Sequence, residues 1–441
     1  MAETIDSGVK ILEVTKITPF TNAISEFSLP LTYFDTYWLK FPPVERLFFY
    51  EITDQQLTID LFNSVILPKL NHSLSLTLLP YLPLAGNLMW PEDAPEPAIY
   101  YFENDGVSVT FAESNADFNI LSGNGIRGAL DLHPLTPQLS ISDDKAAVIA
   151  IQVTLFPNQG FCIGISTHHA VLDGKSSTMF MKSWAYVCKQ LANEESPDLL
   201  PEFTPCFDRS LIKDPEGLNV VYANHWLQTF PDSDSSPNRR SLKILPFPKP
   251  NSNLVRATFE LTREGIKKLR NKVLSLIDKN EGRQAKELHL STYVLTSAYV
   301  YVCLVKAKAE ESNTGHGTEV KASDFMEENG VALVAEKLSD LINGLKGGVI
   351  EGSEDKIKTL MRAFNLGLTF LSVAGSNRFD VYWSDFGWGK PKKVEIVSIE
   401  RTGAFSMAES RDGGGGGVEI GIVLQKPQME VFAASFVDGL K

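Results

Sequence analysis

Between residues 166 and 177 the chain reads S-T-H-H-A-V-L-D-G-K-S-S, which places His169 four residues before Asp173 and Gly174 directly after the aspartate. Imidazole and carboxylate at this spacing could serve a metal site, a hydrolase triad or a lone general base, or the histidine could simply be satisfied in a core. Adjacent histidines leaving a strand point to opposite sides, so His168 and His169 do not readily meet on one ion. The chain has seven histidines and no second cluster of ligands, and no metal is expected. A triad needs an activated nucleophile. The signature G-x-S-x-G is missing near any partner, and Ser176 and Ser177 follow the histidine too closely at a helix start. Two readings stay open: a core histidine, or a base that has an ordinary pKa of about 6.5 and contributes roughly 10²- to 10⁴-fold. On the second, Asp173 and Gly174 shape the turn, and the proton comes from a hydroxyl or amine of a substrate.

The elements around this stretch must deliver the histidine to a fixed place. Residues 146–166 read as two β-rich segments joined by Pro157-Asn158-Gln159-Gly160, a hairpin whose second strand ends at His168 and His169. After Gly174 the pattern turns helical, with Ser176 or Ser177 as candidate N-caps. Upstream, residues 8–17 and 26–32 read as strands, and residues 53–79 as an amphipathic helix ending before Pro80. Residues 192–250, rich in Pro, Ser, Asn and Asp with little periodicity, read as a crossover linker between domains at 1–191 and 251–441. The second half resumes with a strand at 254–261 and a helix at 262–280 capped by Thr262. A buried helix from Thr292 and an acidic helix near 323–345 follow, with strands near 378–384, 393–399 and 418–425. The five glycines at 413–417 have no following helix and no lysine, so they read as a hairpin loop and not a phosphate cradle.

Composition narrows the partners. The chain has 441 residues, 43% hydrophobic and 22% charged, with a formal charge of -13, so its bulk field repels nucleic acid and anionic lipid headgroups. An anionic ligand needs a local basic pocket. The four cysteines lie far apart and read as reduced, and the acidic N-terminus lacks the basic head and apolar core of a secretory signal. A cytoplasmic monomer without a membrane span is expected.

A second stretch, D-F-G-W-G-K-P at 385–391, shares Asp-Phe-Gly with the kinase magnesium loop, but no other kinase motif accompanies it. H-x-x-x-D-G in mid-chain together with D-F-G-W-G near the end resembles the plant BAHD acyl-CoA-dependent acyltransferases. L-P-L-T-Y-F-D-T-Y-W-L at 29–39, Y-L-P-L-A-G at 81–86, V-T-L-F-P-N-Q-G-F at 153–161 and W-G-K-P-K-K-V-E-I-V-S-I at 388–399 are similar to its malonyltransferase branch, which acts on anthocyanin, flavonoid and phenolic glucosides. The resemblance runs over nearly the whole chain.

This resemblance implies an α/β fold of two chloramphenicol-acetyltransferase-like domains, with mixed sheets, flanking helices and an active-site channel at their interface. It implies malonyl-CoA as co-substrate, with no bound cofactor, and a phenolic glucoside as acceptor. A hydroxycinnamoyl or other acyl-CoA is the alternative donor. His169 would be the general base in mid-channel, with no acyl-enzyme. Asp173, Gly174 and the residues Asp385, Phe386, Gly387, Trp388 and Gly389 would hold the channel without doing chemistry. Candidates for CoA are Lys243, Arg256, Lys390, Lys392, Lys393, Ser291 and Thr292, and for a malonyl carboxylate Lys175 and Arg378.

The chain departs from the family pattern after Val302. There it runs through E-E-S-N-T-G-H-G-T-E-V into K-A-S-D-F-M-E-E-N-G, where relatives carry an arginine-rich strand and Y-F-G-N-C. The resemblance therefore implies that a few dozen residues are missing, including the arginine that pairs with the motif aspartate. Either Arg378 or Arg401 substitutes in a working enzyme, or the chain is a non-catalytic, ligand-binding relative that has lost a channel wall.

Overall fold

The computed structural model describes residues 8–20, 26–52, 57–194, 196–229, 239–246, 251–277, 288–309, 327, 329–345, 348, 353–366, 372–412 and 415–440. A six-stranded sheet dominates the first half. In spatial order its strands are Val9–Ile17, Val107–Ser114, Ile149–Phe156, Gly160–Thr167, Val44–Glu51 and Lys393–Ile396. All neighbours are antiparallel except the second and third, which run parallel. The expected hairpin is present, with Asn158 in the left-handed region at φ 60 making its turn. Both of its strands are buried at every position, as continuous apolar runs require in the middle of a covered sheet.

The helix Gly174–Gln190 covers one face of this sheet. Its N-cap is Asp173, whose side chain accepts from the Ser176 amide at 2.6 Å, and not Ser176 or Ser177 as expected. The expected helix over 53–79 is found from Ile59 to Thr77; residues 53–56 lie outside the described residues. Its middle is a π-helical turn, Phe62–Ile66. Pro68, just beyond, has no N–H to give the fourth carbonyl back, which loosens that turn.

A five-stranded sheet anchors the second half, in the order Val373–Ser376, Phe405–Glu409, Val418–Gln425, Leu254–Leu261 and Arg127–Gly128. The helices Arg263–Ile277, Thr292–Ala309, Gly330–Gly344 and Lys426–Asp438 pack around it. Thr262 caps the first of these by accepting from the Gly265 amide at 3.1 Å. The glycine run lies in the hairpin between Phe405–Glu409 and Val418–Gln425, with residues 413 and 414 outside the described residues. Residues 381–383 form a 3-10 turn where a strand was expected. A four-stranded sheet of Glu26–Pro30, Ala98–Phe102, Asn87–Met89 and Lys145–Ala147 completes the β-structure.

The halves exchange strands, so boundaries at 191 and 251 separate neither large sheet cleanly. Lys393–Ile396 pairs with Val44–Glu51, and Arg127–Gly128 pairs with Leu254–Leu261. Charge closes the exchange: Glu395 takes Arg127 at 2.5 Å and Arg256 at 3.1 Å, all three buried. Burial opposes its charge, but Arg127, Lys393 and Arg256 prevail and hold the carboxyl down at about 2. The linker is not featureless either. Residues Leu218–Thr229 form a helix that buries Leu218, Tyr222, Ala223 and Trp226, and Leu242 is buried against the first half. Their apolar residues are spread all round a short helix, which leaves no amphipathic stripe to read.

Candidate active site

The strand Gly160–Thr167 hands the chain to His168 and His169 at its end, and the turn closes when Val171 and Leu172 donate to the His168 carbonyl at 2.9 and 3.3 Å. The two rings part as strand geometry requires. His168 is buried; its Nδ1 accepts from the Ala170 amide at 3.3 Å, and burial, then its neighbours His169 and Lys40, press its pKa down to about 3. His169 stays partly exposed.

The His169 ring lies parallel to the Trp38 indole, with centroids 4.0 Å apart and planes at 7°, while Phe41 meets it edge-on at 6.3 Å. Its Nδ1 is buried without a hydrogen bond to another residue. Burial lowers its pKa most; its own main-chain carbonyl and Asp173 push upward, and Arg46 pushes down. A neutral ring at neutral pH is the outcome.

Asp173 does not face this ring as a hydrogen-bond partner. It is exposed, spends its carboxylate on the helix cap and makes no ion pair among the described residues. An unpaired buried carboxylate is therefore not a cost the fold carries here. The cation beside it is neither Arg378 nor Arg401. Arg378 is exposed, and Arg401 binds Glu45 through both oxygens at 2.8 and 2.9 Å. The cation is Arg46, on the interior strand Val44–Glu51 and only 3% exposed, which donates to Thr178 Oγ1 at 3.0 Å and to the Gly174 carbonyl at 3.4 Å. Burial lowers its pKa to about 10, and the Asp173 charge opposes that fall. Gly174 has no room for a side chain: a Cβ there would sit 2.7 Å from the Phe379 ring and 3.2 Å from Arg46 Nη2.

Sequence reasoning missed both Arg46 and Trp38. The signal for Arg46 is a lone cation on the inward face of V-E-R-L-F-F-Y, in step with Phe48 and Tyr50. Trp38 stands in a stretch singled out only for its family likeness.

The loop Asp385–Gly389 packs on the first half at the other end of the helix Gly174–Gln190. Phe386 is fully buried, edge-on to Trp184 at 4.9 Å and to Tyr50 at 5.6 Å. The Tyr50 hydroxyl donates to the Ser384 carbonyl at 2.9 Å, and Trp388 meets Phe161 edge-on at 5.8 Å. Asp385 binds Lys189 at 2.6 Å and accepts from the amides of Gly387 and Gly389, each at 2.9 Å. Partial burial works against its charge, but Lys189 and the two amides outweigh it and keep the carboxyl below its usual range. Gly387 at φ 102 and Gly389 at φ 98 occupy backbone space that other residues rarely adopt.

The remaining candidate cations separate by burial. Arg256 is fully buried, bound to Glu395 and to the carbonyls of Ile396 and Val397 at 3.0 and 2.8 Å, so it has no guanidinium to offer CoA. Lys393 is likewise buried, on Asn124 and Glu419 at 2.8 and 2.9 Å, and Lys392 binds Glu51 and Asn119. Lys243 pairs with Asp143, Lys390 lies over the exposed Trp383 ring at 3.6 Å, and Lys175 is exposed. Ser291 accepts from the Val294 amide at 3.3 Å at the start of the helix that Thr292 begins. Among the described residues no cluster of His, Cys, Asp and Glu could hold a metal, and no helix is long and apolar enough to cross a membrane. The four cysteines are free, with Cys206 exposed and the others buried.

Comparison with known proteins adds an independent line. A family model described as "Transferase family" matches residues 8–324 and 316–438. The chain is 41% identical over 477 aligned positions to phenolic glucoside malonyltransferase 1 of Arabidopsis thaliana, covering 100% of this chain and 99% of that protein. From the same organism, malonyl-CoA:anthocyanidin 5-O-glucoside-6''-O-malonyltransferase is 40% identical, covering 99% of each chain, and agmatine coumaroyltransferase is 38% identical, covering 97% of this chain and 98% of that one. Among solved structures, vinorine synthase superposes with a TM-score of 0.59 at 18% identity, covering 98% of this chain and 100% of that one. F. graminearum TRI101 complexed with ethyl coenzyme A gives 0.59 at 13%, covering 93% and 97%.

Proposed function

The chain belongs to the BAHD acyl-CoA-dependent acyltransferases, and from that premise we propose that it transfers a malonyl group from malonyl-CoA to a sugar hydroxyl of a phenolic, flavonoid or anthocyanin glucoside, as a cytoplasmic monomer. The observation that carries the mechanism is the place of His169, a partly exposed imidazole at a strand end, where burial favours its neutral form. With Nδ1 protonated, Nε2 accepts the proton of the acceptor hydroxyl as its oxygen attacks the thioester carbonyl. The tetrahedral intermediate then collapses, the C–S bond breaks, and the departing thiolate takes the proton back from the imidazolium. No acyl-enzyme is required.

Asp173, Gly174, Arg46 and the loop Asp385–Gly389 position this base and touch no reacting atom. Lys175 and Arg378, both exposed, stay candidates for the malonyl carboxylate, and Lys243, Lys390, Ser291 and Thr292 for CoA. The test is thiol release from malonyl-CoA with a phenolic glucoside. Release that depends on His169 supports the reading, and equal rates for wild type and His169→Ala overturn it.

Two observations support other outcomes. The coumaroyltransferase relative favours an aromatic acyl donor, which competition between malonyl-CoA and a hydroxycinnamoyl-CoA decides. The alignment with the first malonyltransferase runs over 477 positions against 441 residues in this chain, leaving at least 36 positions unfilled. The family model matches in two pieces that overlap at residues 316–324, which supports a shortened segment there. If that shortening abolishes turnover, glucoside or CoA raises the melting temperature without thiol release.

A further inference from the structure

We propose that Trp38 is the positioning residue of His169, fixing the plane of the imidazole and stabilising the imidazolium that forms when the acceptor proton is taken; this rests on the acyl-transfer reading above. A catalytic histidine is normally held by a hydrogen bond from its second nitrogen to a carboxylate or carbonyl of another residue. Here that device is missing. Among the described residues Nδ1 has no such partner, and Asp173, the carboxylate that acts on the ring, is turned to the helix cap. What fixes the ring is an indole face, parallel to within 7° at 4.0 Å.

The indole is itself held. The Trp38 amide donates to the Asp35 carbonyl at 3.0 Å, and the Phe41 amide donates to the Trp38 carbonyl at 3.0 Å. Tyr37 and Phe41 meet the indole edge-on at 4.9 and 4.8 Å. Behind this turn the buried Trp226 donates its Nε1 proton to the Thr36 carbonyl at 2.7 Å. The platform is therefore rigid where the histidine's own polar anchors are few.

Charge adds a second consequence. When the O–H bond of the acceptor breaks and its proton moves to the ring, a cation forms in a place where burial disfavours it. The ionisable groups around the ring divide: Asp173 favours that cation and Arg46 opposes it, while His168 beside it stays neutral with Lys40 adjacent. A stacked π-face holds the neutral ring by packing alone and attracts the imidazolium more strongly, so its electrostatic effect acts chiefly in the charged state.

The experiment compares wild type, Trp38→Phe and Trp38→Leu in thiol release across pH, with the His169 titration followed separately by imidazole NMR. Trp38→Leu keeps apolar bulk but removes the π-face. It is expected to lower kcat by about 10- to 100-fold with the KM for acyl-CoA within twofold, and to move the acid limb down by about 0.5–1 pH unit. Trp38→Phe should recover most of both. An unmoved acid limb and His169 titration in Trp38→Leu overturns the proposal, whether or not the melting temperature falls. If the wild type itself shows no turnover, the acyl-transfer reading fails, and the NMR titration alone decides whether Trp38 governs the ring.

Discussion

The two ends of the helix Gly174–Gln190 hold the two motifs and treat them in opposite ways. At its start, the turn bearing His169 leaves Nδ1 without a partner in another of the described residues, Arg46 with an unbonded Nε and Asp173 in solvent. At its end, Asp385 has a lysine and two amides, Phe386 is sealed between aromatic rings, and two glycines take backbone angles that only they hold easily. A group that must exchange a proton gains from unsatisfied capacity, whereas a brace gains from having none. The division also explains how an aspartate one turn from the proposed base can be a cap while a distant one is a clamp.

The largest effect that would break this contrast is at the proposed base, His169. His169→Ala is expected to reduce thiol release by roughly 10²- to 10⁴-fold with little change in melting temperature. Phe386→Ala should do the reverse in kind, costing about 3–5 kcal/mol in denaturant unfolding, with activity lost only as the fold is lost. Acid should act through the buried neighbour of the base. His168 in the fold refuses a proton until about pH 3, whereas the unfolded chain takes it near pH 6.5. Stability must therefore fall as pH drops through that window, and His168→Asn should flatten the slope of melting temperature against pH.

At the clamp, Asp385→Asn is expected to cost about 1–2 kcal/mol near neutrality. Its folded pKa is depressed, so its contribution is present above the ordinary carboxylate pKa and is lost as pH falls through the folded one. The smallest effect sharpens the contrast most. Asp173→Asn keeps a good N-cap and should leave kcat within a few-fold, while Asp173→Ala costs about 1 kcal/mol of stability. A loss from Asp173→Asn as large as that from His169→Ala would make the aspartate part of the chemistry.

Much of this was legible in the chain because it is local. The hairpin feeding His169 shows as two apolar runs about a Pro-Asn-Gln-Gly turn, and Thr262 announces its helix by a cap rule. The helix Leu218–Thr229 was hidden because it is apolar on every side, and Arg46 because its partner lies 128 residues away, at Gly174. Arg256 and Lys393 read as free cations only because the exchanging strand Lys393–Ile396 brings Glu395 to the one and carries the other to Glu419. No spacing rule reports a contact made by a strand that leaves its own half.

That exchange bears on how the chain comes to be folded. The strand Val44–Glu51, which carries Arg46, is interior in the finished sheet, yet its outer edge stays open until residues 393–396 of 441 are made. Pairings so distant in sequence are slow to form, and an unpaired apolar edge recruits other chains. A fragment ending at residue 250 contains His169 and every residue stacked on it, but it ends before the strand that closes the sheet. During synthesis, the histidine's half would be the first made and among the last made safe from aggregation.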